Sequence, residues 1–295
     1  MYLDELHIVA LPERRLEIAP RERFVQYQRD LHRISGDHLS DETMTSGDQY
    51  TYTDLGDAVL KPMAEEGLLR GIDLVVFAYW TPEFDPDYSA FGPYFLDHYR
   101  LSAESFDVCD AGSLACATAL SVLQPYMKSD TRVTNSLLLA MEQTTVPRNL
   151  DGGMPIPQRS HAIAAKFSRN RQRQSVQLMA QGFWSEAQVA GGIEWHAELD
   201  RIVDAAGCDG RAVQIVTQRT GWLYKTFQYQ SAIRPEPRRR YSFAFTSPGV
   251  SALHPLFALD RFRGAAASEP DLMLIADHDE ESLRIGWSLF HRSTS

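Results

Sequence analysis

The chain of 295 residues lacks most features that would assign it to a class at a glance. No apolar run approaches the roughly 20 residues that a membrane span requires, so no membrane partner is expected. The opening MYLDELHIVALPERR has no basic stretch followed by an apolar core, so no secretory leader is expected there. Cysteine is scarce: three residues, an odd number, argue against a disulfide framework and for a reducing, cytoplasmic setting. Cys-x-x-Cys, His-Glu-x-x-His and acidic calcium-loop patterns are all missing, which excludes the familiar metal sites. A Gly-rich phosphate loop is missing too, and no cofactor is expected. Positive charge is in deficit, with 29 Lys and Arg against 39 Asp and Glu and a net charge of −10. Phosphate neutralisation needs a basic surface, so nucleic acid is not an expected partner.

What is present is an ordinary globular composition, 44% hydrophobic and 23% charged, long enough for one large α/β unit or two fused halves. Basic residues gather only in SRNRQRQ (168–174) and RPEPRRR (234–240), each either a solvated connector or a docking patch for something acidic. Leu6–Leu11 reads as a first strand. Leu55, Val59, Leu60 and Met63 have helical spacing within Thr51–Gly67, with Thr53 or Asp54 near the start. IDLVVFAY (72–79) is a continuous apolar run suited to a strand covered on both faces. FDVCDAGSLACATALSVL (106–123) opens as a strand, turns tightly and closes as a helix of small and apolar residues. VTNSLLLAME (133–142) and His161–Phe167 read as further strands.

The second part repeats the order: helix Glu194–Ala206, strands Ala212–Thr217 and YSFAFT (241–246), helix Val250–Phe262, strands DLMLIAD (271–277) and SLRIGWSLF (282–290). Strand and helix alternate in each part, the mark of layered α/β architecture.

Three stretches carry a family resemblance. They are IDLVVFAYWTPEF through FDVCDAGSLACATALSVLQPYMKS to VTNSLLLAMEQTT; WHAELDRIVDAAGCDGRAVQIVTQRTG (195–221); and SALHPLFALDRF with DLMLIADHDEESLRIGWSLFHR. Together they resemble the thiolase fold, and within it the β-ketoacyl-ACP synthase III branch. The resemblance implies a five-layered α-β-α-β-α sandwich of two pseudo-symmetric halves, 1–175 and 176–295. It implies acyl-CoA or an acyl carrier protein as partner, with Arg238 and Arg239 as candidate contacts for its phosphates. It also implies a dimer, with itself or with an active ketosynthase-like chain, formed through VTNSLLLAME as an edge strand.

That branch works with a Cys, His, Asn constellation, and here all three places are changed. Counting back from ALSV, the nucleophile slot falls on Ser113; counting forward from the strand, it falls on Gly112. Cys109 and Cys116 fall outside it and suit small core positions. The histidine's place reads Gln218, and the asparagine's place lies near Ser247–Gly249. Where the family has a Gly-rich loop, DHDEES (277–282) brings negative charge that would oppose an enolate. Ser113 is either an acyl-accepting nucleophile or an N-cap serine. His254 and His278 lie near the old active site, as replacement bases or as histidines with no catalytic role. Phe77, Tyr79, Trp80, Phe84 and Tyr88 either line a substrate tunnel, with Trp80 and Phe84 the foremost candidates, or pack the core.

Two functions follow from the resemblance. One is a catalytically silent partner subunit of a condensing enzyme, similar to chain-length-factor subunits and to the serine-bearing inactive subunit of the alkylquinolone condensing enzyme. The other is an acyltransferase or atypical condensing enzyme working through Ser113. Gln218 cannot act as a base, which favours the silent partner.

Overall fold

A computed structural model describes residues 1–12, 22–36, 40, 46–109, 111–146, 157–170, 175–233, 241–246, 251–266, 268–279 and 282–293. The first part contains β1 (Tyr2–Ala10), α1 (Glu22–Ser35), α2 (Tyr52–Glu65), β2 (Leu74–Tyr79), α3 (Phe91–His98), β3 (Glu104–Val108), α4 (Ala115–Ser129), β4 (Asn135–Glu142) and β5 (His161–Ser168). The second contains β6 (Val176–Trp184), α5 (Glu186–Ala190), α6 (Trp195–Ala205), β7 (Val213–Gln218), α7 (Gly221–Ile233), β8 (Tyr241–Thr246), α8 (His254–Arg263), β9 (Leu272–Asp279) and β10 (Arg284–Arg292).

The strands run in the order β3-β2-β4-β5-β1-β6-β10-β9-β7-β8. Read from each end inward, the order is the same: third, second, fourth, fifth and first strand of each part. The pairing directions repeat as well. β2 is parallel to β3 and β4, and β7 is parallel to β8 and β9. β5 lies antiparallel between β4 and β1, and β10 antiparallel between β9 and β6. Among the described residues, β1 and β6 join the two five-stranded sets through two register pairs, Tyr2 with Gln177 and Leu3 with Val176.

The layers follow from the period of two along the strands. In β2, Leu74, Val76 and Ala78 belong to the central core with α4 and α8, whereas Val75, Phe77 and Tyr79 face α2 and α3. In β9, Met273 and Ile275 join the same central core, whereas Leu272, Leu274 and Ala276 face the outer core containing Leu199 of α6 and Phe227 of α7. The result is helix, sheet, helix pair, sheet, helix, the expected sandwich. Small residues let the central helices sit close. A Cβ on Gly286 of β10 would come within 2.7 Å of the Ala117 Cβ in α4.

Several local details differ from the sequence reading. α2 begins at Tyr52 because Thr51 is its cap. Thr51 Oγ1 accepts from the Asp54 N–H at 3.1 Å, and the Asp54 carboxylate accepts from the Thr51 N–H at 3.0 Å. β6 has no clear sequence signal: Gln177, Gln181 and Gly182 interrupt its apolar alternation, and its pairing with β10 holds it instead. VTNSLLLAME is not an edge strand. β4 is paired along its length with β2 on one side and β5 on the other, and seven of its eight residues are buried. Continuous burial of that kind belongs to a central strand.

Candidate active site

The two central helices begin close to the ends of β4 and β9, and each start is held by groups from the opposite part of the chain. α4 follows a 3-10 turn, Gly112–Leu114, in which Gly112 has φ +52°. Ser113 is buried in that turn; its hydroxyl donates to the His278 carbonyl at 2.7 Å and lies 3.4 Å from Asp279 Oδ1. It is not an N-cap: the cap position is Leu114, with no side-chain cap bond, and the Ser113 oxygen is turned towards β9. Cys116, the second residue of α4, is fully buried, and burial pushes its thiol well above the ordinary value, Glu142 and Asp277 adding to the effect. Cys109 is exposed just beyond β3, not a core residue, because the strand ends at Val108.

The start of α8 mirrors this arrangement. Ser251 donates to both oxygens of Glu142, the last residue of β4, at 3.0 and 2.9 Å, and the Ala252 N–H donates at 3.1 Å. Gln218, the last residue of β7, is clamped at both ends of its amide. Nε2 donates to the Ser251 carbonyl and to Asp277 Oδ1, each at 3.1 Å, and Oε1 accepts from the Ser251 N–H at 2.7 Å.

His254 opens α8 and is 2% exposed. Its Nδ1 meets the Asp277 carboxylate at 2.7 Å and 2.9 Å, while its Nε2 is hydrogen-bonded to the Thr246 hydroxyl at the end of β8. A carboxylate only accepts, so Nδ1 carries the proton, and in the neutral ring Nε2 accepts from Thr246.

A cavity of about 390 Å³ opens over this group, with Thr246, His254, Gln218, Ser251 and Glu142 on its wall. His161, Phe257, Arg159 and Arg261 complete its sides and rim. Its size suits a small molecule. Burial alone would lower the His161 pKa, but the Glu142 carboxylate 3.5 Å from Nδ1 outweighs it and holds the imidazole above its ordinary value.

Of the residues singled out in the sequence, Gln218 and His254 come together at this cavity, and Ser113 and His278 do not line it. His278 packs its ring against Trp222 at 5.5 Å. Trp80 is buried in the central core and Phe84 sits edge-on to Phe24 of α1, so both pack as core side chains in this structure. Arg238, Arg239 and Ser247–Gly249 lie outside the described residues. DHDEES is not wholly a loop: Asp277, His278 and Asp279 finish β9. Sequence reasoning missed Thr246, Glu142 and Ser251. The signal available for Glu142 was an acidic residue ending each fourth strand, Glu142 and Asp279.

Two five-stranded sets of identical strand order enclosing a pair of buried helices define the thiolase-like fold. No family model matches the sequence, and no curated protein matches it. Among solved structures, the chain is similar to 3-oxoacyl-(acyl-carrier-protein) synthase III from Aquifex aeolicus VF5, at 14% identity and a TM-score of 0.57 over 82% of this chain and 85% of that one. It is similar to ChlB3, described as an acyltransferase, at 11% identity and a TM-score of 0.64, over 99% and 98% of the two chains. AbyA1, described as a tetronic acid condensing enzyme, matches at 12% identity and a TM-score of 0.60, over 98% and 99%. Likenesses at such identities carry the fold; the chemistry rests on the residues in place.

Proposed function

We propose that this chain is a ketosynthase III-like protein that is silent in carbon–carbon condensation and serves as the partner subunit of a condensing system using acyl-CoA or an acyl carrier protein. The observation that carries the reading is the engagement of Ser113. Its hydroxyl proton goes to the His278 carbonyl, the Asp279 carboxylate lies 3.4 Å away, and Gln218 spends its amide on Ser251 and Asp277. That alcohol directs its proton at a carbonyl, and the Asp279 carboxylate is a weak base whose charge opposes an alkoxide. Among the described residues no imidazole or cation is hydrogen-bonded to it. Cys116 offers no substitute, because burial holds its thiol protonated.

The test is incubation with acyl-CoA and acyl carrier protein followed by mass spectrometry of the peptides carrying Cys109, Ser113 and Cys116. The expected result is no adduct on any of the three. Oxygen esters resist hydroxylamine better than thioesters, so an adduct on Ser113 can be told from one on either cysteine. A Ser113 ester, with turnover abolished in Ser113→Ala, would overturn the silent reading in favour of a serine-dependent acyltransferase.

A further inference from the structure

We propose that Thr246, His254 and Asp277 form a hydroxyl–imidazole–carboxylate site that cleaves an acyl ester or thioester bearing an anionic group. The site belongs to the second half of the chain and is independent of Ser113. Three observations carry it. The bonds run in one line, Asp277 to His254 Nδ1 and His254 Nε2 to Thr246, so the imidazole is oriented from behind and faces the hydroxyl in front. The carboxylate and imidazole are buried, at 1% and 2% exposure, which removes competing water from their mutual bond. The hydroxyl and imidazole face a cavity of about 390 Å³, so a substrate carbonyl can reach them.

Asp277 is itself held by the Gln218 amide at 3.1 Å, so both the acid and the base it orients are fixed. The place that reads as a lost histidine in the sequence thus acquires a different role, since Gln218 positions the carboxylate of this second site.

The cavity's remaining walls define the substrate class. Arg159 and Arg261 stand exposed at the rim, neither ion-paired with a carboxylate among the described residues, and His161 is held towards its cationic form by Glu142. Phe257, edge-on to His161 at 5.3 Å, supplies an apolar wall. Two guanidinium groups beside an apolar face suit an acyl compound with a carboxylate or phosphate several bonds from its reacting carbonyl.

The chemistry balances without a redox partner. Thr246 Oγ1 attacks the carbonyl carbon as its proton passes to His254 Nε2. The tetrahedral adduct collapses by breaking the bond to the alkoxide or thiolate, which takes that proton and leaves as alcohol or thiol. Water then attacks the threonyl ester, giving its proton to His254; the carboxylic acid leaves and Thr246 recovers its proton.

The full chain is tested with p-nitrophenyl hemisuccinate and p-nitrophenyl butyrate, followed by acid quenching and peptide mapping. The expected result is release of p-nitrophenolate with an acyl mass on the peptide containing Thr246. Thr246→Ser should keep the activity, while Thr246→Val and His254→Gln should each lower it by roughly 100-fold or more. Arg261→Gln should lower the rate with hemisuccinate by about tenfold more than the rate with butyrate, as expected for loss of one charged contact. Absence of an adduct on the Thr246 peptide in folded wild-type protein overturns the proposal, whatever the variants do. Unchanged hydrolysis in a folded Thr246→Val protein does the same. An adduct on Ser113 bears on the condensation reading alone, so the two failures are distinguishable.

Discussion

Glu83 sits 8% exposed between the end of β2 and the start of α2. It accepts the Tyr52 N–H at 2.6 Å, the Asp85 N–H at 3.2 Å and the Gln143 amide at 3.1 and 3.2 Å. Burial nevertheless wins over these donors and lifts its carboxyl from 4.5 to about 7. The folded state therefore binds this proton more tightly than the unfolded chain. Its contribution to stability is full below about pH 4.5 and is lost as the pH rises through about 7. The gap corresponds to about 3 kcal/mol at roughly 1.4 kcal/mol per unit. Glu83→Gln should gain about 2–3 kcal/mol relative to wild type between pH 5 and pH 8, measured by denaturant unfolding. A difference that does not change with pH would refute the assignment.

Gly112 makes a second residue-scale case. Its φ of +52° is strained for an L side chain, and a Cβ there would stand 2.6 Å from Asp279 Oδ1. Gly112→Ala should cost roughly 1–3 kcal/mol of stability, read from thermal unfolding. No loss would mean that the turn before α4 is built differently.

At the scale of elements, the two central helices share a device: each N-terminus is met by the acidic residue that ends the fourth strand of the opposite half. Glu142 accepts from Ser251 and the Ala252 N–H at the start of α8, and Asp279 lies beside Ser113 ahead of α4. Glu142→Ala should strip those bonds from buried donors at a cost of about 1–3 kcal/mol, and Glu142→Gln should recover part of it. Equal stability of Glu142→Ala and wild type in urea would show that the helix start does not depend on this carboxylate. Strands such as YSFAFT and IDLVVFAY were legible because apolar or alternating runs report burial directly. β6 and α3 were not. β6 is held by its pairing with β10, and α3, inside a stretch rich in Pro and Asp, is held by Phe91 and Phe95 in the outer core. The site was half legible. His254 and Gln218 stood out as a titratable group and a missing one. Thr246 and Glu142 are unremarkable in sequence and become neighbours only when β8, β4 and α8 converge.

For the molecule as a whole, the strand order leaves β3 and β8 at the two ends of the sheet. β3 exposes four of its five residues, and Phe106 stands 38% exposed with the ring of Tyr126 edge-on at 5.2 Å. A short edge with an exposed aromatic and no proline is open to pairing with another chain. We propose that the expected dimer, with itself or with an active ketosynthase-like chain, forms along β3 and not along the interior strand β4. Such an interface should exceed the ~1,200 Å² lower bound for stable assemblies. The first part of the chain would then present the edge, away from the His254 cavity, which both parts wall: Glu142, Arg159 and His161 from the first, Thr246 and His254 from the second. Sedimentation at micromolar concentration, alone and with a ketosynthase-like partner, should show a dimer, and Phe106→Lys should shift it towards monomer without lowering the unfolding temperature by more than a few degrees. A wild-type monomer in both arms would rule out the assembly. A dimer indifferent to Phe106→Lys would move the interface away from β3.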